Sequence, residues 1–527
     1  MRKGVLRAGI LTLTVGLLSF PFAAEQSPNK DDMRPAIKKF TQVYQLVEQN
    51  FADKVDPDEA IYDGAIPSML HTLDPHSNFL DPKAYQRLQE EQVGHYFGVG
   101  MMVGEPEGKA VVIYPFENSP AYRAGLRPGD EIISVNDKST TKLDVEGVSA
   151  LLKGPQGTQV TVEARRTGVK DPVWFHLTRA EVPRDSVNYY FWLKPGIAFV
   201  KIDSFNENTG HELDQALTKL GENQMRGLIL DLRGNPGGIL QEAVAVSDHF
   251  LKKGQGIVSH HGRSSAEVKF NARHGERSAE YPIVVLVNRG TASAAEIVSG
   301  ALQDHDRAWI LGEKTFGKGL VQAPYPLSGD TALLLTIAHY YTPSGRLIQR
   351  DYTHQSFYDY YMRGPGKDNL KDARRTDSGR QVYGGDGITP DETFSYPTPT
   401  PLEVQLSRGL VYSFFAWNYF GPKEAKLPKD WQPDEALMTS FRDFAVKRGV
   451  QVSDADWKTA EDRVREKLRE EFWVTAFSKE GSDRLALEND PEVAQAMRSL
   501  PASQALLARA MAVAEQRTQQ RAESATR

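Results

Sequence analysis

The sequence predicts an α/β protein, with a layered strand–helix core, a β-rich module before it and helical regions at both ends. Three observations predict this. After Val182, short apolar runs alternate with amphipathic helical patterns, as layered α/β structures require. Between Gly94 and Val182 the pattern is one of short strands and turns. Before Gly94 and after Pro401, apolar residues recur at three- and four-residue spacing. At 527 residues the chain is too long for one ordinary core, so several domains are expected.

The first helical region spans residues 33–93. Ile37, Phe40, Val43, Val47 and Phe51 mark one helical face, and Pro75 in Leu73-Asp74-Pro75-His76-Ser77 breaks the pattern. In the β-rich module, residues 94–182, glycine alternates with apolar residues through Tyr96-Phe97-Gly98-Val99-Gly100-Met101. Val111–Tyr114, Glu131–Val135 and Val160–Ala164 read as strands, and Ser119–Leu126 and Leu143–Leu152 as helices. Residues 183–395 form the α/β region. Its strands are Ile197–Ile202, Leu228–Leu232, Ile283–Val287, Trp309–Leu311 and Ala332–Tyr341, with helices after Gly210, Leu240 and Ser293. Gly345–Asp391 reads either as an excursion near a site or as a surface loop. Tyr396–Pro401 is a stiff linker. Residues 402–527 read as helices, with Leu406, Leu410, Val411, Phe414 and Trp417 on one face and a last helix from Gln504 to about Gln519.

Charge is nearly balanced, 63 basic against 69 acidic residues, so no basic stripe argues for nucleic acid. Cysteine is absent, which excludes disulfides and thiolate metal sites. No metal motif or cofactor signature is present. Arg2, Lys3 and Arg7 precede an apolar stretch, Ala8–Phe22, and then Ala23-Ala24-Glu25. Residues 1–24 therefore read as an export signal or a retained anchor, which places the protein outside the cytoplasm.

The chemistry centres on Ser293 and Lys318. Ser293 follows a buried strand and a glycine turn and opens a helix, so its Oγ can project from a rigid edge. A serine paired with a neutral lysine needs no histidine. The Ala294 N–H at that helix N-terminus suits a developing oxyanion, and the glycine turn Gly234–Gly238 can supply a second donor. Phe316, Leu320 and Val321 give Lys318 apolar cover that lowers its pKa. Gln322 shares a face with Lys318 in an extended segment and can hydrogen-bond its nitrogen. The plain alternatives are a small packing residue at 293 and a solvated lysine at 318. A histidine base would come from His76, His260, His261 or His305, and His305 lies too far along the Ser293 helix to touch it. Gly98-Val99-Gly100 suits a nest of backbone N–H groups for a peptide carboxylate.

Three segments, Gly290-Thr291-Ala292-Ser293-Ala294-Ala295-Glu296-Ile297, Thr315-Phe316-Gly317-Lys318-Gly319 with Gln322, and Asp231-Leu232-Arg233-Gly234-Asn235-Pro236-Gly237-Gly238, together resemble the carboxyl-terminal processing (tail-specific) protease family. Gly94 to about Val182 resembles the PDZ domain inside those enzymes. Asp74–Ser77, Thr342–Arg346 and Gly387–Asp391 are similar to further family segments, so the likeness runs from about Pro35 to Phe394. It implies a crotonase-like core interrupted by the PDZ, with Ser293 as nucleophile, Lys318 as general base and Gln322 orienting it. It also implies oxyanion donors from Ala294 and from Gly237 or Gly238, and a peptide-binding loop over Tyr96, Phe97, Gly98, Val99 and Gly100. Implied partners are exported polypeptides with apolar C-termini, an adaptor or lipoprotein activator, and other copies of the chain joined through terminal helices. The expected compartment is the periplasm, with attachment to the inner membrane if the N-terminal segment is retained. Where family members often carry more serines, this chain has Thr291-Ala292-Ser293-Ala294-Ala295, which removes competing nucleophiles. Rival readings are a catalytically silent peptide-binding scaffold and an amidase or esterase on the same dyad.

Overall fold

The computed structural model describes residues 30–275, 281–353, 357–362, 372–421, 423 and 425–525. The export segment expected at residues 1–24 lies outside them. Among the described residues, no helix is long and apolar enough to cross a membrane.

The chain divides into two units, residues 1–69 and 70–527. In the first, helix Lys30–Asn50 is followed by a π-helical stretch, Glu59–Ala65. The helix carries the anticipated apolar face, with Ile37, Phe40, Val43 and Val47 exposed.

The second unit begins with an element the helical reading of residues 33–93 did not contain. Asn78–Leu80 is a strand, paired antiparallel with Ala332–Tyr341. Asp74 makes this possible. Its carboxylate accepts the N–H groups of His76 and Ser77, both at 2.7 Å, and the Ser77 hydroxyl at 2.7 Å, closing a turn that delivers the chain extended. Helix Pro82–Val93 follows, capped by Asp81 and ended by Gly94.

The β-rich module is a sheet in the order Met101–Gly104, Val111–Pro115, Glu131–Val135, Gln159–Arg165, Val173–Thr178, all antiparallel. Helix Val145–Leu152 buries Val148 and Leu152 against it. A two-stranded ribbon, His95–Gly98 with Ala180–Pro183, ties the module's ends together.

The α/β region holds two sheets. The first runs Tyr189–Lys194, Ile197–Lys201, Gly227–Asp231, Ile283–Val287, Trp309–Gly312, Glu392–Thr393, parallel after its first pair. Gly227–Asp231 and Ile283–Val287 are buried at every residue, as central parallel strands covered on both faces must be. Helices Thr209–Leu220, Leu240–Phe250 and Ala294–Asp304 contribute to one core, and helix Pro491–Ala525 packs on the other side through Val493, Ala496 and Leu500. In the second sheet, strand Ala332–Tyr341 pairs with Asn78–Leu80 and with Leu320–Pro326. It also pairs with a hairpin, Gly256–Gly262 and Ser265–Asn271, that the sequence reading did not contain.

The C-terminal region is helical, with two departures. Leu410 adopts φ 48° and separates helix Pro401–Arg408 from helix Val411–Phe420, so the face read from Leu406 to Trp417 is broken and Leu410 is exposed. The last helix starts at Pro491 rather than Gln504 and contains Pro501. Between them lie Glu435–Lys447, Asp454–Ala476 and Lys479–Glu488.

Candidate active site

Ser293 sits where strand Ile283–Val287 turns into helix Ala294–Asp304. Its backbone has φ 55° and ψ −115°, a conformation that costs an L-residue about 1–3 kcal/mol. Neighbours hold it there. The Ser293 N–H donates to Glu296 Oε2 at 2.9 Å, and the Tyr340 hydroxyl stands 3.0 Å from the Ser293 carbonyl oxygen. Ser293 is half-buried and lines a cavity of about 1300 Å³.

Lys318 lines the same cavity, one residue before Gly319 and strand Leu320–Pro326. Its Nζ donates to Gln322 Oε1 at 2.8 Å, and Gln322 Nε2 donates to the His76 carbonyl at 2.7 Å. The lysine side chain is thus aimed by a relay that starts in the Asp74–Ser77 turn. Burial pushes the Lys318 pKa below its ordinary value, against the attraction of Glu296 and Asp74. Among the described residues, the Ser293 hydroxyl and Lys318 Nζ make no direct hydrogen bond.

Glu296, which the sequence reading left without a role, joins the two halves. Its fully buried carboxylate takes four donors. Thr315 Oγ1 (2.5 Å) and the Gly317 N–H (2.8 Å) reach Oε1, and the N–H groups of Ser293 and Lys318, both 2.9 Å, reach Oε2. Burial raises its pKa, and these hydrogen bonds pull in the other direction. The signal was present in the sequence, because a glutamate three residues after a helix-capping serine is capping-box spacing. Tyr340, also buried, donates to the Lys318 carbonyl at 2.6 Å while facing the Ser293 carbonyl.

The glycine turn approaches Ser293 closely. Gly237 has φ 98°, and a Cβ there would fall 2.7 Å from Ser293 Cβ and 2.9 Å from Ala294 N. The Gly237 N–H is already donated to Asn235 Oδ1 at 2.8 Å. The N–H groups of Gly238 and Ala294 have no acceptor among the described residues, and both residues line the cavity. Arg233, at the base of this turn, is gripped by Asp231 at 2.7 Å and, from the C-terminal region, by Asp490 at 2.8 Å and Glu492 at 2.7 Å.

The histidines have other partners. The ring of His76 lies between Tyr360 (Nε2 to the hydroxyl, 2.9 Å) and Tyr361 (Nδ1 to the hydroxyl, 3.1 Å). Burial, then Lys318, lowers its pKa to about 4. His305 pairs with Asp377 at 2.7 Å and with the Gly256 carbonyl at 2.7 Å. His260 lines the cavity, while His261 stacks on Tyr341. Part of the Gly345–Asp391 excursion therefore reaches the site through Tyr360 and Tyr361.

In the β-rich module, Tyr96, Phe97 and Gly98 belong to the ribbon paired with Ala180–Pro183, and Val99 and Gly100 form the turn into strand Met101–Gly104. Gly100 has φ 75°, and a Cβ there would meet Ser119 Cβ at 2.4 Å. Its carbonyl accepts the Ser119 hydroxyl at 2.7 Å and the Phe116 N–H at 3.0 Å. The N–H groups of Val99 and Gly100 have no acceptor among the described residues. Ser119 also lines the cavity, which therefore extends from Ser293 to the support of this turn.

Comparison with known proteins gives the family. A model of peptidase family S41 matches residues 196–355, a PDZ domain model residues 111–166, and a model of the activating protease CtpB N-terminal domain residues 21–84. The chain is 36% identical over 326 residues to a carboxy-terminal-processing protease of Bartonella bacilliformis, covering 61% of this chain and 74% of that protein. It is 32% identical over 352 residues to carboxy-terminal processing protease CtpB of Bacillus subtilis, covering 66% and 72%. Against the carboxyl-terminal-processing protease of a Synechocystis species the identity is 39% over 292 residues, covering 54% and 68%. Among solved structures, a photosystem II D1 C-terminal processing protease aligns with 68% of this chain and 86% of its own at 28% identity, with a TM-score of 0.37. A mixed α/β chain with a PDZ domain, matched by relatives over most of their length, belongs to the carboxy-terminal processing family of serine proteases, peptidase family S41.

Proposed function

We propose that the protein is an endopeptidase that cleaves exported proteins near apolar C-termini through a Ser293–Lys318 dyad on a crotonase-like core. The observation that carries this reading is the shared cavity. Ser293 lines it beside a lysine whose pKa is lowered by burial and whose Nζ is aimed by Gln322. Neutral Lys318 takes the proton from Ser293 Oγ as Oγ bonds to the scissile carbonyl carbon. The N–H groups of Gly238 and Ala294 receive the oxyanion, each donor contributing about 3 kcal/mol. Protonated Lys318 then gives its proton to the leaving amine, and the acyl-enzyme remains. Water, deprotonated by Lys318, releases the acid and restores the serine. Leu240, Ile297, Leu320 and Ile337 line the same cavity and suit apolar residues around the cut.

The turn Gly98–Gly100, with free N–H groups at Val99 and Gly100, fits a substrate's terminal carboxylate, and the PDZ domain would then select the chain end. The missing Ser293–Lys318 hydrogen bond supports a resting state that closes when substrate or an activating partner docks. The N-terminal basic and apolar pattern supports a periplasmic protein.

The test compares wild type with Ser293→Ala on an unfolded model protein bearing an apolar C-terminus, read by intact-mass spectrometry. Fragments from wild type alone are expected. Equal cleavage by both would sink the dyad. Cleavage of small esters but never of polypeptides would replace the peptidase with an amidase or esterase.

A further inference from the structure

Helix Lys479–Glu488 of the C-terminal region lies across the seam between the PDZ domain and the α/β core, and Lys479, Glu480 and Asp483 line the active-site cavity there. One helical turn holds both sides. On the core side, the Tyr189 hydroxyl donates to Asp483 Oδ2 at 2.6 Å, and Arg484 lies over the Phe191 ring, 4.9 Å from its centroid. Both aromatic residues belong to strand Tyr189–Lys194, the first strand of the core sheet. On the PDZ side, Lys479 Nζ lies 5.9 Å from the centre of the Tyr114 ring, and the Glu117 N–H points to Glu480 Oε1 at 3.5 Å. Lys479 and Asp483 are themselves an ion pair one turn apart, so the two grips share a charge pair. The PDZ contacts fall on the segment that supports the carboxylate turn, since the Phe116 N–H and the Ser119 hydroxyl both donate to the Gly100 carbonyl.

We propose that Lys479, Glu480 and Asp483 are positioning residues that fix the span between the carboxylate turn at Gly98–Gly100 and Ser293, and so set how far from a substrate's C-terminus the first cut falls. This inference rests on the peptidase reading above. With the carboxylate seated on one side of the clasp and the nucleophile fixed on the other, the length of chain between them is a structural constant. If the clasp is released, the PDZ domain rocks against the core and the reach becomes variable.

The experiment digests an unfolded model protein with an apolar C-terminus and reads the earliest fragments by intact mass, using the full chain. Wild type should give a narrow set of first cuts. Asp483→Ala and Tyr189→Phe should each broaden that set over several residues and raise KM about tenfold, the scale of one lost charge-assisted hydrogen bond. Their double variant should add little to either. Asp483→Asn, which can still accept from Tyr189, should recover most of the wild-type pattern. The rate at which a small fluorophosphonate labels Ser293 should be unchanged in all of them, because that probe does not use the PDZ domain. An unaltered first-cut distribution in a folded Asp483→Ala protein would overturn the proposal. So would a labelling rate that falls in step with cleavage, which would mean general damage to the site. Failure of wild type to cut any polypeptide would remove the peptidase reading, and the clasp's role with it.

Discussion

Replacing Ser293 by glycine should abolish activity and at the same time make the protein more stable than the alanine variant. At φ 55° and ψ −115°, any residue with a Cβ is held in a sparsely populated conformation. Serine and alanine both bear that cost of about 1–3 kcal/mol, and glycine does not. Glycine loses more chain entropy on folding, which takes back about 0.5–1 kcal/mol. The backbone contacts that impose the conformation, from Ser293 N–H to Glu296 and from Tyr340 to the Ser293 carbonyl, are the same in both variants. The net difference is therefore about 0–2.5 kcal/mol in favour of glycine, up to roughly 10 °C in melting temperature at about 2–4 °C per kcal/mol for a domain of this size. Both variants lack the Ser293 hydroxyl, so self-cleavage through the proposed dyad does not separate them. Calorimetry that follows the transition of the catalytic domain would read the shift. If Ser293→Gly melts below Ser293→Ala, the strain is not stored at this residue.

Lys318→Ala should reduce peptide cleavage by about a thousandfold or more while leaving the circular dichroism spectrum and melting point close to those of wild type. Gln322→Glu places a carboxylate on Lys318 Nζ. That favours the ammonium, so the acid limb of the kcat/KM profile should move to higher pH, and an unmoved limb would argue that Lys318 is not the titrating base. Gly237→Ala should fold but lose about a hundredfold or more in Ser293 labelling, because its Cβ would displace Ser293 Cβ and Ala294 N. For His76 the sign follows from its lowered pKa. Between about 6.5 and about 4 the unfolded chain binds a proton that the folded one does not, so stability should fall as pH drops through that window. The loss attributable to His76 is no more than about 3 kcal/mol, and His76→Gln should flatten the dependence in acid-titrated unfolding.

The parts of the fold that showed in the sequence are those where burial dictates composition. Gly227–Asp231 and Ile283–Val287 are apolar because both faces are covered, and they mark the core sheet wherever they stand. Ser293 and Lys318, which line one cavity, stood out in the sequence because each is set in a short glycine-containing turn beside an apolar run. Asn78–Leu80 was not, since three residues of an edge strand leave no periodicity and its partner lies far along the chain. The hairpin at Gly256–Asn271 was missed because its second strand is mostly exposed and polar. Glu296 showed a local spacing whose meaning appeared only when Thr315, Gly317 and Lys318 arrived from another loop. Gly237 and Gly238 look alike in the sequence and differ in the fold through Asn235, whose side chain takes the Gly237 N–H. The helix breaks at Gly409 and Leu410, although the apolar spacing runs on across them.

The hydrogen bond from Gln322 to the His76 carbonyl spans 246 residues of sequence, with the whole PDZ domain between its ends. The proposed site is therefore not a segment that can be cut out. A fragment of residues 183–395 would carry Ser293 and Lys318 but leave Gln322 without its anchor. It would also uncover the edge of strand Ala332–Tyr341 that Asn78–Leu80 now pairs, a template for misassembly. Dissection of this protein has to keep the Asp74–Leu80 stretch with the core, supplied in the same chain or added back as a peptide.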